Sequence, residues 1–302
     1  MTVGTVMRPW CAARRTIAVT FHSLLLMGLA VVAPSPVVAQ DEVPFITTPD
    51  HVTRAMLSLA RVTAADHLID LGSGDGRIVI TAARLHGARG LGVEIVPELV
   101  DRSLATARAA GVAALVDFRV QDLFATPLEA ATVITMYLLP DVNMQLRPRL
   151  LRLKPGTRVV SHDWDMGDWQ PDQTIELDVP DKAIGREKKS RLHLWVVPAS
   201  LHGTWCTRGA TLSIVQRFQR VSVDVAWRRE ASQVVVPNLV FDGTVDPADG
   251  VTLRSLGVVA TSPAVALRLE SQRLHLLRAL DSVVPLPTGT VFERSTSGTC
   301  AP

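Results

Sequence analysis

The sequence predicts an α/β fold, a doubly wound and mostly parallel sheet, followed by a small antiparallel β domain, and three observations carry that prediction. From Pro44 to about Pro198, strand-like and helix-like segments alternate, which is the pattern of βα units. A glycine-rich turn, Asp70-Leu71-Gly72-Ser73-Gly74-Asp75-Gly76, stands where the first strand gives way to a helix. After Leu201 the period becomes two: Val221, Val223, Val225 and Trp227 alternate with Ser222, Asp224, Ala226 and Arg228, and Val265, Leu267 and Leu269 with Ala266, Arg268 and Glu270. Strands of that kind have one wet face and suit an antiparallel sheet or barrel of about a hundred residues.

The elements follow in order. Thr48 with Pro49 behind it reads as an N-cap and first helical position, and Val52, Met56, Leu59 and Ala60 give that helix one apolar face. A strand runs to Leu71 (HLIDL), a helix follows Gly76 (RIVITAARLHG), a strand runs to Glu94 (GLGVE), and Pro97 opens the next helix. Strand three falls near Val116 to Val120, strand four near Thr132 to Tyr137, a helix spans about Asp141 to Leu153, and strand five is TRVVSH from Thr157. The apolar runs Ile175 to Val179 and Leu192 to Val197 lack an intervening helix, which suits an antiparallel pair at the sheet edge. Pro198, Ser200 and Gly203 mark the boundary, so that 44–198 is read as the first domain and 203–302 as the second.

Composition is that of a globular chain: 302 residues, 47% hydrophobic and 20% charged, with 31 Lys+Arg against 29 Asp+Glu for a net charge of +2. A disordered chain, a collagen and a coiled coil are excluded. Residues 1–40 hold Arg8, Arg14 and Arg15 and no acid, so the remainder carries −1 and has no nucleic-acid footprint. Arg14-Arg15, the apolar run Ile17 to Ala33 and the small residues ending at Ala39 have the order of a secretory signal over 1–39. That points to a periplasmic or secreted protein. An uncleaved inner-membrane anchor is the alternative, since the run approaches the roughly 20 residues of a spanning helix, and a misassigned start is a third reading. Cys206 and Cys300 are either bridged, as export would allow, or two unrelated thiols. The histidines are scattered and neither Cys-x-x-Cys nor His-Glu-x-x-His occurs, so no metal site is expected.

The glycine turn gains meaning from its company. Glycine bends such a turn tightly and lets a ligand approach the backbone. Glu94 closes the second strand 18 positions after Gly76, where an acid accepts hydrogen bonds from ribose hydroxyls, and Asp122 follows the third strand, within reach of a purine edge. The pattern is G-x-G-x-G rather than the dinucleotide G-x-G-x-x-G, and Asp70 stands two residues before it. An acid there suits a ligand carrying an amino cation rather than a pyrophosphate, which points to S-adenosylmethionine. A P-loop is excluded because its Gly-Lys-Ser/Thr ending is missing.

Taken together, PFITTPDHV, DLGSGDGRIVI, GVEIVPELV, QDLF, MYLLP, LRPRLL and LKPGTRVVSHDWDMGDWQPD, in that order, resemble the seven-strand, class I S-adenosylmethionine-dependent methyltransferases. More narrowly, the stretch from Pro44 to Val197 resembles the protein-lysine methyltransferases related to the mitochondrial enzyme that modifies the c-ring protein of ATP synthase. The resemblance implies a Rossmann-like sheet, and Asp70 on the methionine amino group directly or through water. It also implies Gly72 and Gly74 against the cofactor, with Ser73 and Gly76 in the same loop, Glu94 on the ribose and Asp122 on the adenine amino group. Phe45 and Thr48 would close over the cofactor. Tyr137, the chain's single tyrosine, ends strand four and is read as an acceptor-positioning group or, alternatively, as a rim aromatic that packs. His162 and Asp163 are read as a general base, or as a structural histidine and a cap carboxylate; Trp164 and Trp169 either pack or form an aromatic mouth.

Three functions remain open at this point: a protein-lysine methyltransferase, an envelope or membrane protein being one candidate substrate; a small-molecule methyltransferase; and an exported nucleotide-binding module without catalysis. No nucleic-acid partner is expected, and membrane contact only through an uncleaved N-terminal segment.

Overall fold

The computed structural model describes residues 46–182, 187–227, 239–245, 250–255, 265–278 and 286–300. The signal segment 1–39 and Phe45 lie outside the described residues. Five strands run parallel: β1 (His67–Leu71), β2 (Arg89–Glu94), β3 (Val116–Val120), β4 (Val133–Met136) and β5 (Arg158–His162). Two more, β6 (Gln173–Asp178) and β7 (Lys189–Val196), pair antiparallel with each other, and β7 runs against β5. The order β3-β2-β1-β4-β5-β7-β6 reverses direction at β1, so the carboxyl ends of β1 and β4 flank the crevice where open α/β sheets bind ligands. The edge hairpin expected from the two apolar runs is present, with β7 inside and β6 outermost.

Alternation along each strand divides the core into two layers. Leu68, Val133, Val160, Leu192 and Leu194 face a cluster with Val52, Met56, Ile78, Val79 and Val100 from α1 (Asp50–Leu59), α2 (Arg77–His86) and α3 (Pro97–Ala109). Ile69, Leu71, Ile134, Val159 and Trp195 face the other side, against Leu146 and Leu150 of α4 (Pro140–Leu150) and Met166 and Trp169 of the loop after β5. Runs buried on both faces explain why these strands read as near-continuous apolar stretches. Two boundaries differ from the expectation. Pro140, not Asp141, opens α4, which stops at Leu150. Pro49 takes the N-cap of α1, whose first residue is Asp50, and Thr48 makes no cap because its hydroxyl is engaged elsewhere.

The second sheet closes on itself as an eight-stranded barrel. Its strands are β8 (Gly203–Thr207), β9 (Ala210–Arg217), β10 (Arg220–Trp227), β11 (Leu239–Val245), β12 (Gly250–Ser255), β13 (Val265–Glu270), β14 (Arg273–Arg278) and β15 (Val291–Arg294). Each neighbouring pair is antiparallel. Closure removes the unpaired edges that an open sheet of this size would expose. Val221, Val223 and Val225 point inward with Trp205, Leu212, Ile214, Phe241, Leu274 and Phe292. The space left among Leu212, Val225, Leu267, Leu276 and Phe292 is about 10 Å³, room for no more than one water. Of the two readings of the cysteines, the bridged one is observed: Cys206 of β8 is bonded to Cys300 across 94 residues. Both sheets belong to one compact unit, Phe45–Pro302. No helix among the described residues is long and apolar enough to cross a membrane.

Candidate active site

The turn between β1 and α2 is built on backbone that favours glycine. Gly72, Gly74 and Gly76 have φ of 74°, 54° and 76°, in the left-handed region. At Gly76 a Cβ would also come within 2.7 Å of Phe118 and of Ser103 Oγ, so a side chain there is excluded twice over. The amides of Gly72 and Ser73 donate to Val93 O at 3.0 and 2.9 Å, tying the turn to the end of β2. Ser73 Oγ is buried without a hydrogen-bond partner, an unmet polar atom in the turn itself.

Three carboxylates stand at the carboxyl ends of β1, β2 and just beyond β3. Asp70 is buried, and its Oδ1 accepts from Thr135 Oγ1 of β4 at 2.7 Å. Burial pushes its carboxyl up to about 7, Thr135 opposes that shift, and the charges of Glu94 and Asp75 add to it. Glu94 accepts from the amide of Gly74 at 3.0 Å through Oε2, and from those of Ile95 and Val96 at 2.7 and 3.1 Å through Oε1. Asp122 is exposed; its Oδ1 accepts from Phe124 N at 2.8 Å and caps a short 3₁₀ turn, Leu123–Ala125. Its Oδ2 has no protein partner among the described residues. Asp75 is otherwise engaged, held low by Arg77, whose guanidinium outweighs the cost of burial and also donates to Thr48 O at 2.9 Å.

On the other side of β1, the ends of β4 and β5 assemble a second cluster. Tyr137 stacks on His162 with ring centroids 3.9 Å apart, and its hydroxyl donates to Asp163 Oδ2 at 3.2 Å. Lys182, from the β6–β7 hairpin, places Nζ 2.7 Å from the same oxygen. Asp163 has φ of 66°, a left-handed conformation uncommon for a non-glycine residue. It is pinned to β7 in both directions: its amide donates to Arg191 O at 2.7 Å, and its Oδ1 accepts from Arg191 N at 3.1 Å. Burial raises the Asp163 carboxyl, but Lys182 and the Arg191 amide outweigh it and hold the group low. Burial takes His162 down to about 4, so it is neutral and makes no ion pair with Asp163 3.7 Å away. Its two nitrogens lie 3.2 Å from Thr48 Oγ1 and 2.8 Å from Ser190 Oγ. Burial also raises Tyr137, to about 12, with the Asp163 charge and hydrogen bond adding. Among the described residues no group of His, Cys, Asp or Glu has the arrangement of a metal site.

Residues 70–173 match the model of the ANTKMT methyltransferase domain. A protein-lysine N-methyltransferase of Saccharolobus islandicus is 42% identical over 138 residues, which are 45% of this chain and 86% of that protein. The chain belongs to the class I S-adenosylmethionine-dependent methyltransferases. An adenine nucleotide translocase lysine N-methyltransferase of Mus musculus is 34% identical over 131 residues, covering 43% of this methyltransferase and 57% of the mouse protein. A solved structure of a Salinibacter ruber RNA methyltransferase with S-adenosyl-L-homocysteine is 51% identical over 52% of this chain and 96% of that one, with a TM-score of 0.47. The matched family region ends at residue 173, before the first barrel strand.

The cofactor of this methyltransferase is S-adenosylmethionine, and the crevice has the chemistry to fit it: an acid for an amino cation, acids for hydroxyl and amino donors, and a glycine turn that leaves the backbone accessible. Of the residues singled out from sequence, Asp70, Gly72, Ser73, Gly74, Gly76, Glu94 and Asp122 are gathered along the β1–β3 side. Tyr137 stands on the β4–β5 side, and Thr48 reaches that side through His162. Sequence reasoning missed Thr135, Lys182 and Arg191. Thr135 was accessible in principle, since it lies on the strand face shared with Asp70 one strand over. No local pattern marks the other two.

Proposed function

We propose that the enzyme methylates the side-chain amine of a protein lysine. In this reading Asp70 takes the methionine amino group, Glu94 the ribose hydroxyls and Asp122 the adenine amino group, while Gly72, Ser73, Gly74 and Gly76 line the cofactor and Tyr137 positions the acceptor. Thr48 is proposed to close over the same site. The observation that carries the lysine assignment is the Tyr137 hydroxyl, whose proton is committed to Asp163, leaving its oxygen free to accept from an amine N–H. The Saccharolobus islandicus and Mus musculus relatives, both lysine N-methyltransferases by name, point the same way.

The bound cofactor supplies an activated methyl group on a sulfonium; the chain must align an amine lone pair with it. The amine has to arrive unprotonated, and the cluster is built for that. Asp163 is balanced by Lys182, and His162 and Tyr137 are neutral, so no net negative charge holds the acceptor as an ammonium. Leu139, two residues after Tyr137, and Trp164, the residue after Asp163, are exposed and offer apolar surface for the lysine stem. A phenol pushed up to about 12 is no general base at neutral pH. The proton left on the methylated amine would therefore pass to water rather than to Tyr137.

The test is transfer of labelled methyl from S-adenosylmethionine to fractionated extract of cells lacking the protein, with Tyr137→Phe alongside. Label on lysine in a discrete protein is expected. Loss of a positioning bond that becomes charge-assisted as the amine turns to ammonium should lower kcat about 10- to 100-fold, with S-adenosylhomocysteine affinity unchanged. Label confined to RNA or to small molecules would overturn the lysine assignment.

The Asp70 assignment makes a separate prediction. An amino cation favours the ionised carboxyl, so below pH 7 binding must expel a proton; affinity for S-adenosylhomocysteine should rise up to about tenfold per pH unit toward 7 and then level off. For the protein alone the sign is reversed. A carboxyl raised in the folded state favours the fold below its unfolded value near 4 and loses that contribution as the pH rises through about 7. Calorimetry in two buffers of different ionisation heat reads the proton release, and a flat affinity profile from acid to neutral pH counts against the assignment. The N-terminal run Ile17 to Ala33 is, in the same spirit, proposed as an export signal or anchor; the mature N-terminus by mass spectrometry decides between them.

A further inference from the structure

We propose that the hairpin tip joining β9 to β10 is a clamp through which the barrel positions the acceptor side of the crevice. The segment between β5 and β6 begins with Asp163 and Trp164 and ends at Asp172, and the hairpin grips its far half. Phe218 stacks on Trp169 with centroids 6.0 Å apart and planes at 18°, and the guanidiniums of Arg147 and Arg217 lie 5.7 and 5.9 Å from its ring. Gln219 accepts from Trp169 Nε1 at 3.0 Å and donates to Asp172 Oδ2 at 3.0 Å. Asp168 pairs with both Arg147 and Arg217. Trp169 is fully buried, and Phe218 itself has φ of 56°.

The near half is held by α4. Asn143 Nδ2 donates to Ser161 Oγ and Trp164 O at 3.2 Å and to Asp165 O at 3.3 Å, while Arg147 donates to Met166 O at 2.8 Å. A left-handed aspartate is costly and persists only where its surroundings fix it from several directions. The grip on 164–172 adds to the hold that Arg191 and Lys182 have on Asp163, and Asp163 passes the constraint to Tyr137 through their hydrogen bond. Arg217, Phe218 and Gln219 are thus positioning residues for the acceptor side, while among the described residues no hydrogen bond, ion pair or ring contact joins their side chains to the glycine turn, Glu94 or Asp122. The proposal relies on the placement of Tyr137 at the acceptor in the reading above.

The test compares Phe218→Ala, Gln219→Ala and the conservative Phe218→Trp in the full chain. Amide exchange over residues 163–169 should speed up at least tenfold in Phe218→Ala and less in Gln219→Ala. The one tyrosine ring resonance of selectively labelled protein should move in both, and Phe218→Trp should restore it. Affinity for S-adenosylhomocysteine should stay within twofold, and KM for poly-L-lysine should rise at least fivefold. If Phe218→Ala loses exchange protection in the barrel strands, Gln219→Ala decides alone, since it removes two hydrogen bonds and leaves the stack. Unchanged exchange and an unchanged Tyr137 signal in a folded variant would overturn the clamp, as would a parallel fall in cofactor affinity. Should wild-type protein leave poly-L-lysine unmethylated, that counts against the lysine reading, and the exchange and tyrosine signals still decide the clamp.

Discussion

Replacing Glu94 with alanine is expected to weaken S-adenosylhomocysteine binding by about 100- to 1000-fold and to lower kcat/KM to the same extent. The carboxylate has two tasks. It holds the amides of Gly74, Ile95 and Val96, and thereby fixes the glycine turn against the end of β2; in the proposed complex it also receives the ribose. Hydrogen bonds to a charged group are worth about 1.5–3 kcal/mol each, so losing two of them on the ligand side corresponds to roughly 3–4 kcal/mol, or two to three decades. Glu94→Gln separates the tasks, since it keeps one acceptor oxygen and the shape of the side chain; an intermediate loss of about tenfold is expected. Isothermal calorimetry reads both variants, and an alanine variant that binds within fivefold of wild type would remove Glu94 from the cofactor site.

The second large effect is on stability and falls on the barrel. Its seam is narrow: β15 meets β8 through Glu293 opposite Cys206 and Arg294 opposite Trp205. The Cys206–Cys300 bond sits at that seam and closes a loop spanning 94 residues, for which the chain-entropy treatment gives about 4–5 kcal/mol. Reduction, or Cys206→Ser with Cys300→Ser, should therefore lower the urea midpoint of the barrel and strip exchange protection from β8 and β15 first. Protection in β1, β2 and β4 should hold, because their core of Leu68, Ile69, Val93, Val133 and Ile134 is independent of the bridge. Equal midpoints with and without reductant would show that the seam needs no staple.

Much of the parallel sheet was legible because its signals are local. HLIDL and GLGVE are short apolar runs bounded by turn residues, the glycines stand where the chain must turn left-handed, and the acids end their strands at readable spacings. Alternation likewise revealed the strands of the second sheet, but not its closure, since β8 and β15 lie about ninety residues apart and neither encodes its partner. The acceptor side was hardest to read for the same reason. Thr48 looks like a cap because Pro49 follows it, yet its hydroxyl is spent on His162, 114 positions away. Asp163 could be read as a cap carboxylate, whereas it joins Tyr137, Lys182 and Arg191, and only the return of β7 against β5 brings those residues together.

The two sides of the crevice consequently differ in how the chain must assemble them. The proposed cofactor side lies between Asp70 and Asp122, in three consecutive βα turns, and its longest contact, from Asp70 to Thr135, spans 65 positions. The proposed acceptor side draws on residues from distant places, with contacts that reach 114 positions, from Thr48 to His162. Loop-closure entropy favours the shorter circuits first. A growing or partly unfolded molecule is therefore expected to acquire its grip on the methyl donor before it can aim that methyl at anything.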